Sequence, residues 1–168
     1  YTGHRGYVTS AVVSRDGRFI LAGSGDGPYS ETGAIKLWDA ASGRCLRTFE
    51  GQTHWVTFVN FSPDERYLLS SGNDGVPRLW KVTAGRAVRK YPSDNKSVHS
   101  ARISNDQRFV IAGCDGGTLI LWDYTTMKLL SEFSSQGYGV NSVCLTSDDR
   151  FAVSASGDKK LRIWEIAT

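Results

Sequence analysis

The sequence predicts an all-β fold assembled from four repeated sheets. Tryptophan recurs every 42 residues, at Trp38, Trp80, Trp122 and Trp164, and only Trp55 falls outside the series. Each unit contains short runs of alternating apolar and polar residues between turn-forming segments, and no stretch shows the apolar stripe of an amphipathic helix. The repeat and the alternation together predict strands in four equivalent units.

Two further landmarks keep the same register. An acidic turn followed by Arg and an aromatic residue begins at Asp16 and returns after 48, 42 and 42 residues, at Asp64, Asp106 and Asp148. A valine shows the same spacings, at positions 8, 56, 98 and 140. The longer first interval places an insertion of six residues near Gly27–Thr32, a segment rich in turn formers.

The first unit shows how the strands are arranged. Alternation predicts strands over residues 8–13, 19–23, 34–38 and 45–49. Four antiparallel strands cannot bury both of their faces alone, whereas units stacked face to face around an axis cover one another, which is the arrangement of a propeller. We therefore divide the chain, as a single propeller segment, into repeats 1–50, 51–92, 93–134 and 135–168, the last without its fourth strand.

Composition narrows the classes of function. The formal net charge of +3 is small and the basic residues are spread along the chain, which argues against nucleic-acid binding. No apolar run approaches the ~18 residues of a membrane span, so we expect no membrane insertion. Cys45, Cys114 and Cys144 are odd in number and lie in apolar stretches, which predicts buried free thiols in a reducing intracellular compartment, cytoplasmic or nuclear.

These motifs resemble the WD-repeat β-propeller family. Gly3-His4 opens the first unit and Trp38-Asp39 closes its third strand, and Trp122-Asp123 repeats the closing pair. The pairs Trp80-Lys81 and Trp164-Glu165 depart from this Trp-Asp pair, because Lys81 and Glu165 stand in place of the Asp. The resemblance covers essentially the whole chain and implies blades of four antiparallel strands. Because the family more often has seven blades, the four units are either part of a larger seven- or eight-bladed propeller or a half-ring that pairs with a second copy.

The resemblance also implies a structural hydrogen-bond network in each blade, between a loop His, a turn Asp, a Ser or Thr and the Trp indole. The matching residues are His4, Asp26 and Trp38 in unit one, Ser70, Asp74 and Trp80 in unit two, Trp122 in unit three, and Ser154, Asp158 and Trp164 in unit four. Ala22 stands at the Ser position of unit one, and Gln52 and Gln136 stand at His positions. Every network is incomplete, so we expect the blades to rely on apolar packing.

Catalytic readings of the same residues are weaker. His4, Ser24 and Asp26 suggest a hydrolase, but no oxyanion hole or nucleophile elbow accompanies them. The glycine-rich segment 23–27 lies between two strands, not before a helix, so it does not predict a phosphate cradle. No His/Cys/Asp cluster has metal-ligand spacing. We predict no enzymatic activity, no cofactor and no metal.

An arginine follows each acidic turn, at positions 18, 66, 108 and 150. The four side chains could form a ring of phosphate binders, but the interpretation that each begins a second strand beside its acidic turn is favoured.

Function in this fold lies in loops on a rigid scaffold. The resemblance implies partner binding on the face that carries the loop before strand one and the turn between strands two and three. The residues expected there are Tyr7, Thr9, Tyr29, Trp55, Thr57, Ser97, His99, Tyr138 and Asn141. Trp55 is either a groove anchor or a cap over the blade edge, with equal weight on both.

The sequence therefore predicts a protein-interaction scaffold or adaptor whose partners are other proteins or peptides, with self-association to complete a ring as a further option. The alternative is a regulatory or sensory module of a multidomain signalling enzyme, such as a kinase or ATPase, whose catalysis lies outside this segment. An RNA-associated propeller is a third, weaker class.

Overall fold

The chain forms four antiparallel sheets. The structure, a computed structural model, describes residues 1–26, 32–94, 97–134 and 137–166. The first sheet contains β1 (Tyr7–Val13), β2 (Phe19–Gly25), β3 (Gly33–Asp39) and β4 (Cys45–Phe49), and the second contains β5 (Val56–Phe61), β6 (Tyr67–Gly72), β7 (Arg78–Lys81) and β8 (Arg86–Lys90). The third contains β9 (Val98–Ile103), β10 (Phe109–Cys114), β11 (Thr118–Asp123) and β12 (Leu129–Ser134), and the fourth contains β13 (Val140–Leu145), β14 (Phe151–Ser156) and β15 (Leu161–Glu165).

Strands within each sheet follow chain order, and each sheet packs against the next as successive blades of a propeller. The predicted all-β propeller is confirmed, and the four strands expected in the first unit are present. Among the described residues, the one helical element is the 3-10 turn Asp115–Gly117. Most of the predicted insertion, residues 27–31, lies outside the described residues.

The core lies between the sheets rather than within one of them. Each of its three clusters joins apolar side chains of one blade to those of the next. In the first cluster, Leu21, Ile35, Leu37 and Phe49 meet Val56, Val59, Leu68 and Trp80. In the second, Leu69, Leu79 and Tyr91 meet Val98, Ala101, Val110 and Trp122. In the third, Ile111, Leu119 and Leu121 meet Val140, Val143 and Ala152. Burial of apolar area between blades is therefore the main stabilising term.

The two ends of this row of blades are uncovered. Val8 is 56% exposed, whereas its repeat equivalents Val56, Val98 and Val140 are fully buried. At the other end, Leu161 and Ile163 are 75% and 72% exposed. Their equivalents in blade three, Leu119 and Leu121, are 0% and 2% exposed. The chain thus presents one apolar face on blade one and another on blade four.

The acidic turns between the first two strands of each blade share one geometry. The Asp16 carboxylate accepts hydrogen bonds from the Ser14 hydroxyl (2.7 Å) and the Arg18 backbone N–H (3.0 Å). These bonds hold the pKa of Asp16 below its usual value. The same pair of bonds recurs at Asp64, Asp106 and Asp148. The repeated acidic turn followed by arginine is therefore a turn motif, in which the arginine backbone N–H donates to the aspartate carboxylate.

One expectation about the cysteines is wrong. Cys114 is buried, but Cys45 and Cys144 are exposed free thiols. Cys45 begins β4, the fourth or outer strand of blade one. Cys144 lies on the uncovered side of β13, the first or inner strand of blade four. Neither residue therefore has a neighbouring blade over it.

Two blades bond the tryptophan indole to a serine of strand two. In blade two, the Trp80 Nε1–H donates to Ser70 Oγ (2.8 Å), and that hydroxyl donates to Gln52 Oε1 (3.2 Å). In blade four, the Trp164 Nε1–H donates to Ser154 Oγ (2.9 Å). A serine at this strand-two position therefore satisfies a mostly buried indole N–H.

The other two blades lack that serine and differ. In blade one, the Trp38 Nε1–H is buried and has no partner, because Ala22 offers no hydroxyl. In blade three, where Ala112 holds the position, the Trp122 Nε1–H donates to the Pro92 carbonyl instead (2.9 Å). An unpaired buried donor is a local cost in blade one.

The expected His–Asp link is absent in blade one. His4 Nδ1 bonds to Ser24 Oγ (2.5 Å), and its Nε2 has no partner. Asp26 accepts a hydrogen bond from Thr32 Oγ1 instead (2.6 Å). Burial, with a smaller contribution from the charge of Lys36, lowers the pKa of His4. The ring is therefore neutral at pH 7 and packs on Trp38, with 5.1 Å between ring centroids.

The turn aspartates of blades two and four bind arginine rather than histidine. Asp74 pairs with Arg78 and Asp158 with Arg162, each at 2.5 Å and each four residues apart across the β-turn into strand three. The Arg162 hydrogen bonds hold the pKa of Asp158 at about 2. These pairs tie the turn between strands two and three to the third strand.

Restoring the missing hydroxyl should stabilise blade one. We expect Ala22→Ser to give the Trp38 indole a partner and to raise the free energy of unfolding by roughly 0.5–1.5 kcal/mol, the net value of one hydrogen bond. Chemical denaturation measures the change. Ala112→Ser is the matched control, and should give no gain because the Trp122 indole is already bonded. Equal effects of the two substitutions would contradict this assignment.

The Asp158–Arg162 pair should produce a pH dependence in the acid range. The folded pKa of about 2 lies below the ordinary value of 3.8, so the pair's contribution to stability is complete above about pH 4 and is lost as the pH falls towards 2. We expect an NMR titration of the Asp158 carboxyl to show a midpoint near 2, and Arg162→Met to move it towards 3.8. Lys160→Met, which also removes a nearby cation, should leave the midpoint almost unchanged. A wild-type midpoint near 4 would show that the pair does not form.

Candidate protein-interaction surface

One end of the propeller carries the segments that lead into the inner strands and the turns between strands two and three, and we call it the loop face. The segment before β5 lies against the first blade's turn: a Cβ on Gly25 would lie 2.7 Å from Trp55 Cδ1, and one on Gly33 would lie 2.0 Å from the His54 carbonyl oxygen. Neighbouring blades therefore interlock at this face, and only glycine fits at these contacts.

A β-bulge lies at the same position of every inner strand. The register shifts at Thr9 in β1, Thr57 in β5, His99 in β9 and Asn141 in β13. A bulge redirects the side chain of its extra residue. All four residues were expected to contact a partner, and the bulge sets the direction in which each side chain points.

Thr9 and Thr57 bond to the neighbouring blade. The Thr9 hydroxyl donates to the Val56 carbonyl (2.5 Å), and the Thr57 hydroxyl donates to the Val98 carbonyl (2.5 Å). Both hydroxyls are partly buried between inner strands. The structure therefore uses these two residues to join blades, which differs from the expected role in partner binding.

His99 and Asn141 remain accessible. His99 Nε2 lies 2.6 Å from Asp115 Oδ1, in an ion pair or hydrogen bond whose form depends on protonation of the ring. A third of the His99 side chain and just over half of the Asp115 side chain are exposed. Asn141 is exposed on the last inner strand, while Ser97, before β9, is half-buried and its carbonyl accepts the Asp115 N–H (3.0 Å).

The predicted aromatic residues divide into two kinds. Tyr7 and Tyr138 are 72% and 62% exposed. Trp55 is half-buried, with its indole against Gly25 of the preceding blade, and its Nε1–H is buried without a partner. Trp55 thus packs over the junction between the first two blades. Tyr29 lies outside the described residues.

Sequence reasoning missed a cavity at the opposite end. It has a volume of about 350 Å³ and lies among the ends of the inner strands and their acidic turns. Arg102 lines it, stacked 4.2 Å from the centroid of the Phe58 ring, and burial lowers the pKa of this arginine. A charged residue inside an inner strand, where the equivalents are Val12, Asn60 and Cys144, was the available signal.

Among the described residues, no group of three or more His, Cys, Asp or Glu side chains could hold a metal ion. A search of the same residues finds no helix long and apolar enough to cross a membrane.

Comparison with known proteins identifies relatives of the repeats. A nuclear distribution protein PAC1 from Arthroderma benhamiae is 45% identical over 65 residues, which is 34% of this chain and 14% of the relative. A Lissencephaly-1 homolog from Dictyostelium discoideum is 45% identical over 49 residues, which is 27% of this chain and 12% of the relative. The chain therefore matches only about one seventh of the length of these relatives.

Among solved structures, the computationally designed Ika4 protein has a similar fold. It superimposes with a TM-score of 0.82 at 25% identity, covering 98% of this chain and 94% of the designed chain.

The family model for the WD domain, G-beta repeat, matches residues 1–39, 43–81, 85–123 and 127–165. Each matched segment ends one residue after a periodic tryptophan, so the family repeat contains the outer strand of one blade and the first three strands of the next. Because these matches cover nearly the whole sequence, the chain belongs to the WD40 repeat family.

Proposed function

We propose that this chain is a protein-interaction scaffold that binds a protein or peptide segment across the loop face. The observation that carries the proposal is the combination of two exposed tyrosines, Tyr7 and Tyr138, with the half-buried Trp55 and the His99–Asp115 pair, all at one end of a rigid set of strands. Aromatic side chains supply contact area at a low entropic cost and are frequent binding hot spots.

The chemistry of this face suits a polypeptide. The Asp115 carboxylate is half exposed beside the His99 imidazole. A peptide offers N–H donors for this carboxylate. The three aromatic side chains on the same face favour an extended segment with apolar side chains over a strongly charged polymer.

The relatives support a scaffold role in general terms. Those named above are nuclear distribution and Lissencephaly-1 proteins, and their similarity to this chain is confined to WD repeats. We infer an intracellular protein, because exposed free thiols such as Cys45 and Cys144 persist in a reducing compartment.

The proposal is tested by selecting binders from a displayed random-peptide library on the immobilised wild-type chain. We expect Tyr138→Ala and Tyr7→Ala each to raise the Kd of the selected peptides about tenfold or more, because removing a hot-spot aromatic costs ~2 kcal/mol. Both side chains are exposed, so circular dichroism of the variants should stay unchanged. Titration by fluorescence anisotropy measures the Kd.

Tyr1→Ala is the matched control. Tyr1 is also an exposed tyrosine, but its hydroxyl donates to the Ala40 carbonyl (2.6 Å) after β3, at the end away from the loop face. This variant should bind like the wild type. Peptides that lose affinity with Tyr1→Ala but not with the two loop-face variants would contradict the proposal.

A further inference from the structure

The uncovered faces of blade one and blade four are the two halves of an ordinary blade junction. At each internal junction, apolar residues of strands two and three of one blade cover the inner strand of the next. Val153, Leu161 and Ile163 of blade four occupy the repeat positions of Ile111, Leu119 and Leu121 in blade three. Val8 and Ala11 of blade one occupy those of Val140 and Val143 in blade four. Each end therefore carries the apolar set that the other end lacks.

The polar groups at the ends match in the same register. At the first junction, the Thr9 hydroxyl donates to the Val56 carbonyl, and the Val59 N–H donates to the Ser10 hydroxyl (3.1 Å). The serine bond recurs at the third junction, from the Val143 N–H to Ser100 Oγ (3.4 Å). On blade four, Asn141 and Ser142 hold the repeat positions of Thr9 and Ser10, and both are exposed.

Their counterparts are present on blade one. The acceptor equivalent to the Val56 carbonyl is the Val8 carbonyl, and the donor equivalent to the Val59 N–H is the Ala11 N–H. Val8 and Ala11 are both exposed in the chain. In the described part of the chain, the first and last sheets make no substantial contact, so the two end faces are not joined to each other within one molecule.

We infer that a second copy of this chain docks head to tail on these faces, so that two copies complete a ring of eight blades. Blade four of each copy covers blade one of the other: Leu161 and Ile163 pack over Val8, the Asn141 amide donates to the Val8 carbonyl, and the Ser142 hydroxyl accepts from the Ala11 N–H. When one face of a molecule binds a different face of its partner, the assembly closes into a ring only if the rotation between the copies allows it. In a closed pair, both end faces of each copy are covered.

This inference goes beyond the scaffold role. Tyr7 holds the repeat position of Trp55 and so lies at the edge of the proposed junction; the variants that test the inference therefore leave Tyr7 and Tyr138 unchanged. The experiment measures the mass of the purified 168-residue chain by multi-angle light scattering. The expected mass is twice the 18.5 kDa of one chain. Val8→Glu, at the first face, and the pair Leu161→Glu with Ile163→Glu, at the last face, should each yield monomers, because a charge then enters an apolar junction. All three side chains are exposed in the single chain, so circular dichroism should show intact sheets.

Leu130→Glu is the matched control. Leu130 is likewise exposed, but it lies on the outer strand β12, away from both end faces. The mass of the Leu130→Glu variant should therefore equal that of the wild type. The decisive measurement mixes the two monomeric variants. Val8→Glu keeps an intact last face and the Leu161/Ile163 variant keeps an intact first face, so a tagged copy of one should capture the other.

Capture between the two variants, with none within either alone, supports the head-to-tail arrangement. A face-to-face dimer through either end would keep one variant dimeric, and would overturn it. A wild-type mass of one chain over the range in which the chain is soluble would overturn it as well.

Discussion

The structure depends on one constraint: every blade is a thin twisted sheet whose two apolar faces are covered only by its neighbours. No cluster of the described core lies within a single blade, since each joins residues from two successive sheets. The full burial of Val56, Val98 and Val140 against the exposure of Val8 is the direct sign of this dependence. Stability is then a sum over junctions rather than a property of one central core.

Polar bonds supplement the junctions but do not define them. Only blades two and four bond the indole to a serine, and blade one leaves the Trp38 N–H unpaired while its neighbours remain packed. Between blades, the Thr9 and Thr57 hydroxyls add one hydrogen bond each at the bulge. A net value of ~1 kcal/mol for each bond is small beside the burial of several apolar side chains. The incomplete networks are therefore compatible with the fold.

Periodicity was enough to predict the fold, because the tryptophan spacing and the two-residue alternation both follow from strands that bury one side against a neighbour. It could not predict side-chain partners. Nothing in the spacing shows that a bulge turns Thr9 and Thr57 towards the next blade, or that Ser24, rather than Asp26, meets His4. These outcomes depend on local backbone direction, which a repeat pattern does not contain. The exposure of Cys45 and Cys144 was missed because an apolar neighbourhood in sequence does not guarantee a covering blade.

The candidate site could be predicted in part. The loop face follows from the repeat register, and Tyr7 and Tyr138 are exposed there. Trp55 fits the description of a cap more closely, since its indole lies against Gly25 and its N–H is buried. The pairing of His99 with Asp115 brings together residues sixteen apart in sequence, and only the turn between β10 and β11 makes them neighbours.

The most direct measurement of the central claim is a double-mutant cycle across one junction. Leu79 of blade two and Val98 of blade three share a cluster, so Leu79→Ala and Val98→Ala should destabilise the chain non-additively, with a coupling of ~0.5–3 kcal/mol in the free energy of unfolding. Leu37 and Val143, which lie in separate clusters, should give additive effects. Additive effects for Leu79 and Val98 would contradict the view that neighbouring blades cover each other's apolar faces.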